Sequence, residues 1–410
     1  MSAVVIVGAS QAGLQVAVSL RELGHEGPVT LVGAEPYPPY QRPPLSKAYL
    51  SGQATLESLS LRNEAFYTDH NIDLVCGERV VDIELDNGTV RLASGRDLPF
   101  DQLALTTGAR VAHLPVPGAD LSGVLYLRSL DDADRLAALL PTAQNVVVVG
   151  GGFIGLEAAA VCRNKGKSVT VVEMGSRLVQ RAVAPVVSEF YRQAHERRGT
   201  TIKLGQTVTA IEGRDGAVTG VRLDDATLLP ADLVLVGIGV HARGELAELM
   251  GLEVENNAVV VNTYAQTSNP RVVAAGDCTL LPHPLADDVM VRLESVQNAV
   301  DQAKVAAATL MGDKQEYHVV PWFWTDQDTL KLKIAGLSTG YDEVVVRGDP
   351  ETEKFSVLYY RAGHLIAIDS VNRTPEYLAV RQALGRGDTI PAERAADVDV
   401  PLKELIVRGA

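Results

Sequence analysis

Three short stretches place glycines and carboxylates where a dinucleotide could be gripped. Gly8-Ala9-Ser10-Gln11-Ala12-Gly13 closes the apolar run AVVIVG and opens a helical pattern. Glycines in such a turn let the backbone approach a pyrophosphate, and the helix that follows offers free N–H groups and a positive dipole end to the phosphates. Ser10 stands where a middle glycine is usual, and Gly33 rather than an acid ends the next strand, leaving Glu35 as the nearest candidate for the ribose. The second stretch, Gly150-Gly151-Gly152-Phe153-Ile154-Gly155, is complete and is followed by Glu157; Glu173 ends the next apolar run. A carboxylate at that point can accept from both ribose hydroxyls and repel a 2′-phosphate, so NADH is expected over NADPH, with Arg177 and Arg181 close in sequence. The third is Ala275-Gly276-Asp277, whose strand-end aspartate reads, beside two nucleotide units, as the ligand of the ribityl chain of FAD.

These residues need particular elements to hold them. Both glycine motifs lie in the order strand, helix, strand: AVVIVG, a helix stopped at Gly24, PVTLVG; then QNVVVVGGG, a helix stopped at Gly166, SVTVVE. Continuous apolar strands joined through a helix form right-handed parallel units. DLVLVGIGV is expected to close the second sheet, and VVAAGDC to return to the first domain. A helix is expected from about Glu294-Ser295-Val296 to Met311, its N-terminus able to stabilise negative charge on a reduced flavin ring. After Pro321 the pattern changes to alternating strands, KLKIAGL, DEVVVRG, FSVLYYR and HLIAIDS, then a helix near 376–384. The expected class is α/β: two Rossmann-like dinucleotide-binding domains, for FAD and NAD, plus a small C-terminal α+β domain. The expected boundaries are 1–112 and 244–320 for the two parts of the FAD domain, 113–243 for the NAD domain and 321–410 for the last.

Composition narrows the partners. The 410 residues carry 37 Lys and Arg against 51 Asp and Glu, a net charge of −14. That disfavours nucleic acid and anionic membranes as main partners. The N-terminus lacks a basic segment and cleavage site, so a cytoplasmic location is expected. Cys76, Cys162 and Cys278 are scattered, without a CxxC or CxxxxC pair, and read as small buried hydrophobes. Their spacing with histidine suggests no metal site.

The segments PYQRPPLSKAYL (39–50), GGGFIGLE (150–157), AAGDC (274–278), RLESVQNAVDQA (292–303) and PWFWTDQ (321–327) resemble the NADH-dependent flavoprotein reductases that feed [2Fe–2S] ferredoxins of bacterial monooxygenase and dioxygenase systems. The resemblance covers essentially the whole chain in order and implies a glutathione-reductase-like architecture, non-covalent FAD, NADH as electron donor and a ferredoxin that in turn supplies an oxygenase. It implies that Arg42 lies near the FAD phosphates, Pro44 beside the isoalloxazine, and Lys47 near flavin N5 in a pair with Glu157. It further implies that Thr107, Gly108 and Arg128 contact FAD, that Gly239 lines the nicotinamide approach, and that Trp324 sits near the flavin edge facing the ferredoxin; Trp322, by its own character, reads as a core aromatic of the small domain. Lys331, Lys333, Arg62 and Arg292 are candidates for a local basic docking face. Two other classes share the fold. Disulfide reductases require a cysteine near the flavin, and residues 36–60 contain none. A redox switch resembling apoptosis-inducing factor commonly carries targeting or basic DNA-binding segments, which are not visible here.

Overall fold

The computed structural model describes residues 2–287 and 289–408, in two compact units. The first comprises Met1–Gln41, Leu56–Arg110 and His241–Phe323. Its centre is a five-stranded parallel sheet in the order Val272–Ala274, Gln102–Leu105, Val4–Val7, Val29–Val32, Ile72–Val75. Val4, Val5, Ile6 and Val7 are all buried, as a strand covered on both faces must be. Burying each such side chain contributes about 1.5–3 kcal/mol. The helices Gln11–Glu22 and Val296–Leu310 pack together beside the sheet. Asp86-Asn87-Gly88 lies in the turn between Val80–Glu84 and Thr89–Leu92, which pair antiparallel. The segment VVAAGDC does return to this unit: Val272–Ala274 pairs with Gln102–Leu105, at the sheet edge.

The second unit comprises Arg42–Thr55, Val111–Val240 and Trp324–Ala410. Residues 42–55 therefore group with the second nucleotide unit, although in sequence they interrupt the first. Its parallel sheet runs Thr201–Leu204, Ser168–Glu173, Asn145–Val149, Leu233–Val236, Val124–Tyr126, with an antiparallel three-stranded sheet beyond it. The C-terminal residues form a five-stranded sheet in the order Trp322–Gln327, Leu330–Gly336, His364–Val371, Lys354–Arg361, Glu343–Asp349. The helix Thr374–Arg386 lies against it. The polar tail is held by Arg347, which is 1 % exposed. Its guanidinium donates to Glu376 Oε1 at 2.8 Å and to the carbonyls of Ala395 and Val400 at 3.0 and 2.8 Å, so a buried charge is fully partnered. The protein is a mixed α/β structure, and no helix among the described residues is long and apolar enough to cross a membrane.

One buried acid should make the stability of this unit depend on pH. Tyr359 donates to Asp369 and accepts from the Ala184 N–H at 2.7 Å. Burial pushes the Asp369 carboxyl up to about 7, the Tyr359 hydroxyl and the Ala184 amide opposing it only in part. A carboxyl raised on folding gives stability that is present in full below its unfolded value and is lost as pH rises towards 7. Asp369→Asn should therefore flatten the fall in unfolding temperature between about pH 4 and 7 and raise that temperature at pH 8. A melting series that falls as steeply for the variant would place the sensitivity elsewhere.

Candidate active site

In the first unit the opening turn is built for close approach. Gly8 has φ +119°, and a Cβ there would lie 2.2 Å from the Thr106 carbonyl oxygen; one at Gly13 would lie 2.0 Å from the Gly8 oxygen. Both positions exclude a side chain, and so does Gly33, where a Cβ would stand 2.6 Å from the Ala9 Cβ. That contact explains why the second strand ends in glycine rather than an acid. Ser10 is the N-cap residue of Gln11–Glu22, whose first turn contains Ala12 and Gly13. Glu35 accepts from Tyr40 Oη at 2.5 Å. Thr107 donates to the Arg243 carbonyl at 2.6 Å, and Gly108 accepts from the Arg243 N–H at 3.0 Å. Asp277 is half-buried beside Gly276, which has φ +87° and whose N–H is held by Gln302 Oε1 at 2.8 Å. Ser295 caps Val296–Leu310 by accepting from the Asn298 N–H at 3.0 Å, while the exposed Glu294 pairs with Arg292 at 2.6 Å.

The second unit repeats the cradle. A Cβ on Gly150 would lie 2.3 Å from the Gly237 oxygen, and one on Gly155 would lie 2.5 Å from the Gly150 oxygen. At Gly152, the N-cap of Phe153–Asn164, the nearest atom is 4.0 Å away, so space is open at the helix N-terminus. Phe153 is half-buried and Ile154 exposed. Glu173 accepts from the Gly151 N–H and the Gly175 N–H, both at 2.6 Å, which fixes its carboxylate beside the glycine turn. Arg177 is tied to the carbonyls of Val183 and Gln180 at 2.6 Å and to Ser188 Oγ at 2.8 Å. Gly239, with φ +110°, accepts from the Ala112 N–H at 2.9 Å.

In the same unit, the segment after Arg42 meets the helix of the second glycine motif. Arg42 donates to the Arg128 carbonyl at 2.9 Å, and Pro44 lies in the 3-10 turn Pro43–Ser46. Lys47 Nζ stands 2.6 Å from Glu157 Oε2, with Glu157 only 3 % exposed. Ser46 Oγ also donates to Oε2, at 2.5 Å, and Thr325 Oγ1 donates to Oε1 at 2.6 Å. Lys47 makes a further bond to the Pro43 carbonyl at 3.1 Å. These partners satisfy the buried carboxylate, and the carboxylate in turn holds the Lys47 ammonium at a defined point. Ser46 and Thr325 are the partners that sequence reasoning missed. Their signals were present, Ser46 adjoining Lys47 and Thr325 alternating with Trp324, but neither reveals a target a hundred or more residues away. Trp322 and Trp324 are both half-buried, so Trp322 is not a fully enclosed core residue.

No thiol is poised for reaction. Cys162 and Cys278 are buried and Cys76 is half-exposed, and burial pushes all three thiols up, Cys162 to about 11. A redox thiolate needs the opposite shift. No group of acidic, histidine or cysteine side chains among the described residues could hold a metal ion.

Two glycine cradles that a Cβ would fill, each on a parallel sheet and each ahead of a helix, fit two dinucleotides, and with Asp277 the first fits FAD. They define a flavin- and pyridine-nucleotide-dependent oxidoreductase. The chain belongs to the pyridine nucleotide-disulphide oxidoreductase family, which matches residues 2–303, and carries a Reductase C-terminal domain over residues 322–406. It is 45% identical over 405 residues to rhodocoxin reductase of Rhodococcus erythropolis, covering 99% of this chain and 94% of that one. The ferredoxin reductase for the CYP199A2 system from Rhodopseudomonas palustris superposes with a TM-score of 0.95 at 43% identity, over 98% of this chain and 99% of that one. The covalent putidaredoxin reductase–putidaredoxin complex matches equally well, with a TM-score of 0.95 at 42% identity over 98% of both chains.

Proposed function

We propose that this protein is an NADH-dependent ferredoxin reductase, passing reducing equivalents through FAD to a [2Fe–2S] ferredoxin that supplies an oxygenase. The observation that carries the reading is likeness along the full chain, C-terminal domain included, to reductases named for ferredoxin-type acceptors. Bound FAD supplies the conversion between two-electron hydride chemistry and one-electron transfer. The chain's own residues do the rest. Gly8, Ser10, Ala12 and Gly13 receive one pyrophosphate, and Gly150, Gly152, Phe153, Ile154 and Gly155 the other. Asp277 and Glu35 accept from hydroxyls of FAD, and Glu173 from the ribose of NADH. Arg42, Pro44, Thr107, Gly108, Arg128, Glu294, Ser295, Val296 and Trp324 are assigned to FAD, and Gly239 to the nicotinamide approach. Lys47 is the cation held for the reacting centre, and Glu157 holds it in place. The proposed domains keep the boundaries read from sequence, with 42–55 grouped as described above, and a cytoplasmic location fits a reductase fed by NADH.

The deciding experiment is anaerobic turnover with NADH against bacterial [2Fe–2S] ferredoxins, rubredoxin and dioxygen. The expected result is fast reduction of at least one ferredoxin; fast turnover with rubredoxin alone would reassign the acceptor. Replacing Cys76, Cys162 and Cys278 together by Ala should leave ferredoxin reduction within about twofold, because none supplies a thiolate. Loss of activity in a variant that folds and keeps FAD would demand a thiol mechanism.

Three of the four candidate docking cations are already engaged locally. Arg292 is paired with Glu294, Lys333 bonds Thr374 Oγ1 at 3.1 Å, and Arg62 bonds its neighbour's carbonyl and stands 5.1 Å from the Phe66 ring. Against a chain at −14, an acidic ferredoxin needs these local cations. Ferredoxin reduction should therefore slow as salt rises to physiological strength, where the Debye length is about 8 Å. Flavin reduction by NADH in stopped flow should change much less. A ferredoxin rate that is flat or rises with salt would make docking mainly apolar.

A further inference from the structure

Behind the Lys47–Glu157 pair a line of buried polar side chains runs through the second unit. Glu157, Thr325, Gln327 and His195 are each 3 % exposed or less. Thr325 Oγ1 is 2.6 Å from Glu157 Oε1, Gln327 Nε2 is 3.4 Å from Thr325 Oγ1, and Gln327 Oε1 is 2.7 Å from His195 Nε2. Thr325 and Gln327 lie two residues apart on the strand Trp322–Gln327 and so share a face. Glu157 and His195 come from the helices Phe153–Asn164 and Pro185–Arg197. At its far end His195 borders a small cleft with Arg163, Arg198, Thr200 and Asp328.

The chemistry of the groups sets the direction of the line. An ionised carboxylate only accepts, so the Thr325 hydroxyl gives its one proton to Glu157. Its oxygen then accepts from the Gln327 amide N–H, which leaves the amide oxygen to accept from His195. His195 must carry its proton on Nε2. Reversing the glutamine would turn the threonine hydroxyl towards the amide oxygen and leave Glu157 Oε1 buried without a donor, at the full cost of desolvation. Every donor thus points at the carboxylate, the arrangement in which successive bonds strengthen one another.

We propose that Thr325 and Gln327 are positioning residues for the Lys47–Glu157 pair, with His195 as the anchor that fixes their polarity. Thr325 holds the carboxylate rotamer in which Oε2 is presented to Lys47, Gln327 holds the threonine rotamer, and His195 holds the glutamine. The C-terminal segment thereby contributes to hydride acceptance without touching the reacting atoms. This rests on the reading of Lys47 and Glu157 as the pair that serves the flavin.

The test compares Thr325→Val, Thr325→Ser, Gln327→Met and Glu157→Gln, each loaded with FAD, by stopped-flow bleaching with NADH. Thr325→Val keeps the shape and removes the donor. Its limiting rate should fall roughly tenfold, the size of one lost hydrogen bond to a charged group, with half-saturation by NADH unchanged within about twofold. Thr325→Ser should recover to within about twofold of the parent, and Gln327→Met should fall roughly two- to fivefold. A purely structural role would instead lower FAD content and stability without splitting rate from binding. If Glu157→Gln slows bleaching while both Thr325→Val and Gln327→Met match the parent, the positioning role is overturned and the pair stands. If Glu157→Gln has no effect, the reading of the pair itself fails. Should Thr325→Val not fold, Gln327→Met decides alone: a rate equal to the parent's overturns the proposal. A second readout needs no turnover: ¹⁵N-histidine NMR of the FAD-loaded protein, without NADH, should show His195 as the Nε2–H tautomer, moving off it in Gln327→Met. An Nδ1–H tautomer in the parent would overturn the one-way line.

Discussion

Lys47→Met should lower the unfolding temperature of this protein more than the double variant Lys47→Met/Glu157→Gln does. Removing the cation alone leaves a carboxylate that is 3 % exposed with only the Ser46 and Thr325 hydroxyls for partners. Breaking a buried pair from one side costs about 3–5 kcal/mol, because the remaining charge stays desolvated. Lys47 retains 20 % of its side-chain exposure, which puts the expected cost at the low edge, about 3 kcal/mol, or roughly 5–10 °C in melting temperature. Neutralising Glu157 as well removes the stranded charge and should return much of that loss, so the cycle should show strong coupling. Bleaching of bound FAD by NADH should nevertheless stay slow in both variants, by one to two orders of magnitude, since neither restores the cation. Single variants whose effects on melting simply add would mean that the two groups do not act as a pair.

Coenzyme choice should shift at Glu173. Its two oxygens are pinned by the N–H groups of Gly151 and Gly175, which leaves lone pairs for ribose hydroxyls and holds a negative charge where a 2′-phosphate would come. Arg177 cannot offset that charge without giving up two carbonyls and the Ser188 hydroxyl. Glu173→Ala should lower kcat/KM for NADH by one to two orders of magnitude, about 1–3 kcal/mol, and narrow the gap to NADPH. Glu173→Gln separates the two contributions. It removes the charge but can still accept one backbone bond, so it should relax the preference with a smaller loss for NADH. An unchanged NADH to NADPH ratio in Glu173→Ala would remove this carboxylate from the ribose site.

The groups that read most directly from the sequence are those whose function is local. A Cβ on Gly13 or Gly155 would strike the oxygen of Gly8 or Gly150 within the same motif, so there the motif and its cause travel together, whereas Gly8 and Gly150 are closed off by Thr106 and Gly237 from elsewhere in the chain. The return of Val272–Ala274 to the first sheet was legible for a related reason. A short, wholly apolar run ending in Gly276-Asp277 has few places to go except a buried parallel sheet. The helix Leu130–Leu139 carries a comparable local mark in its Ser129 and Asp132 capping box.

The environment of Glu157 is of the other kind. Its partners come from residues 46, 47 and 325, and the line behind it reaches back to 195; no periodicity or spacing links these positions. The likeness to flavoprotein reductases suggested the lysine partner, but the Ser46 contact exists only once the turn Pro43–Ser46 meets the helix Phe153–Asn164, and the Thr325 contact and the direction of the line only once the strand Trp322–Gln327 lies against that helix and Pro185–Arg197. Composition and spacing determined that this chain builds two nucleotide cradles and, after them, a C-terminal sheet of alternating strands. Which side chains share a buried carboxylate was decided by tertiary packing, because a desolvated charge accepts whatever donors the fold brings within about 3 Å, however far apart they stand in the chain.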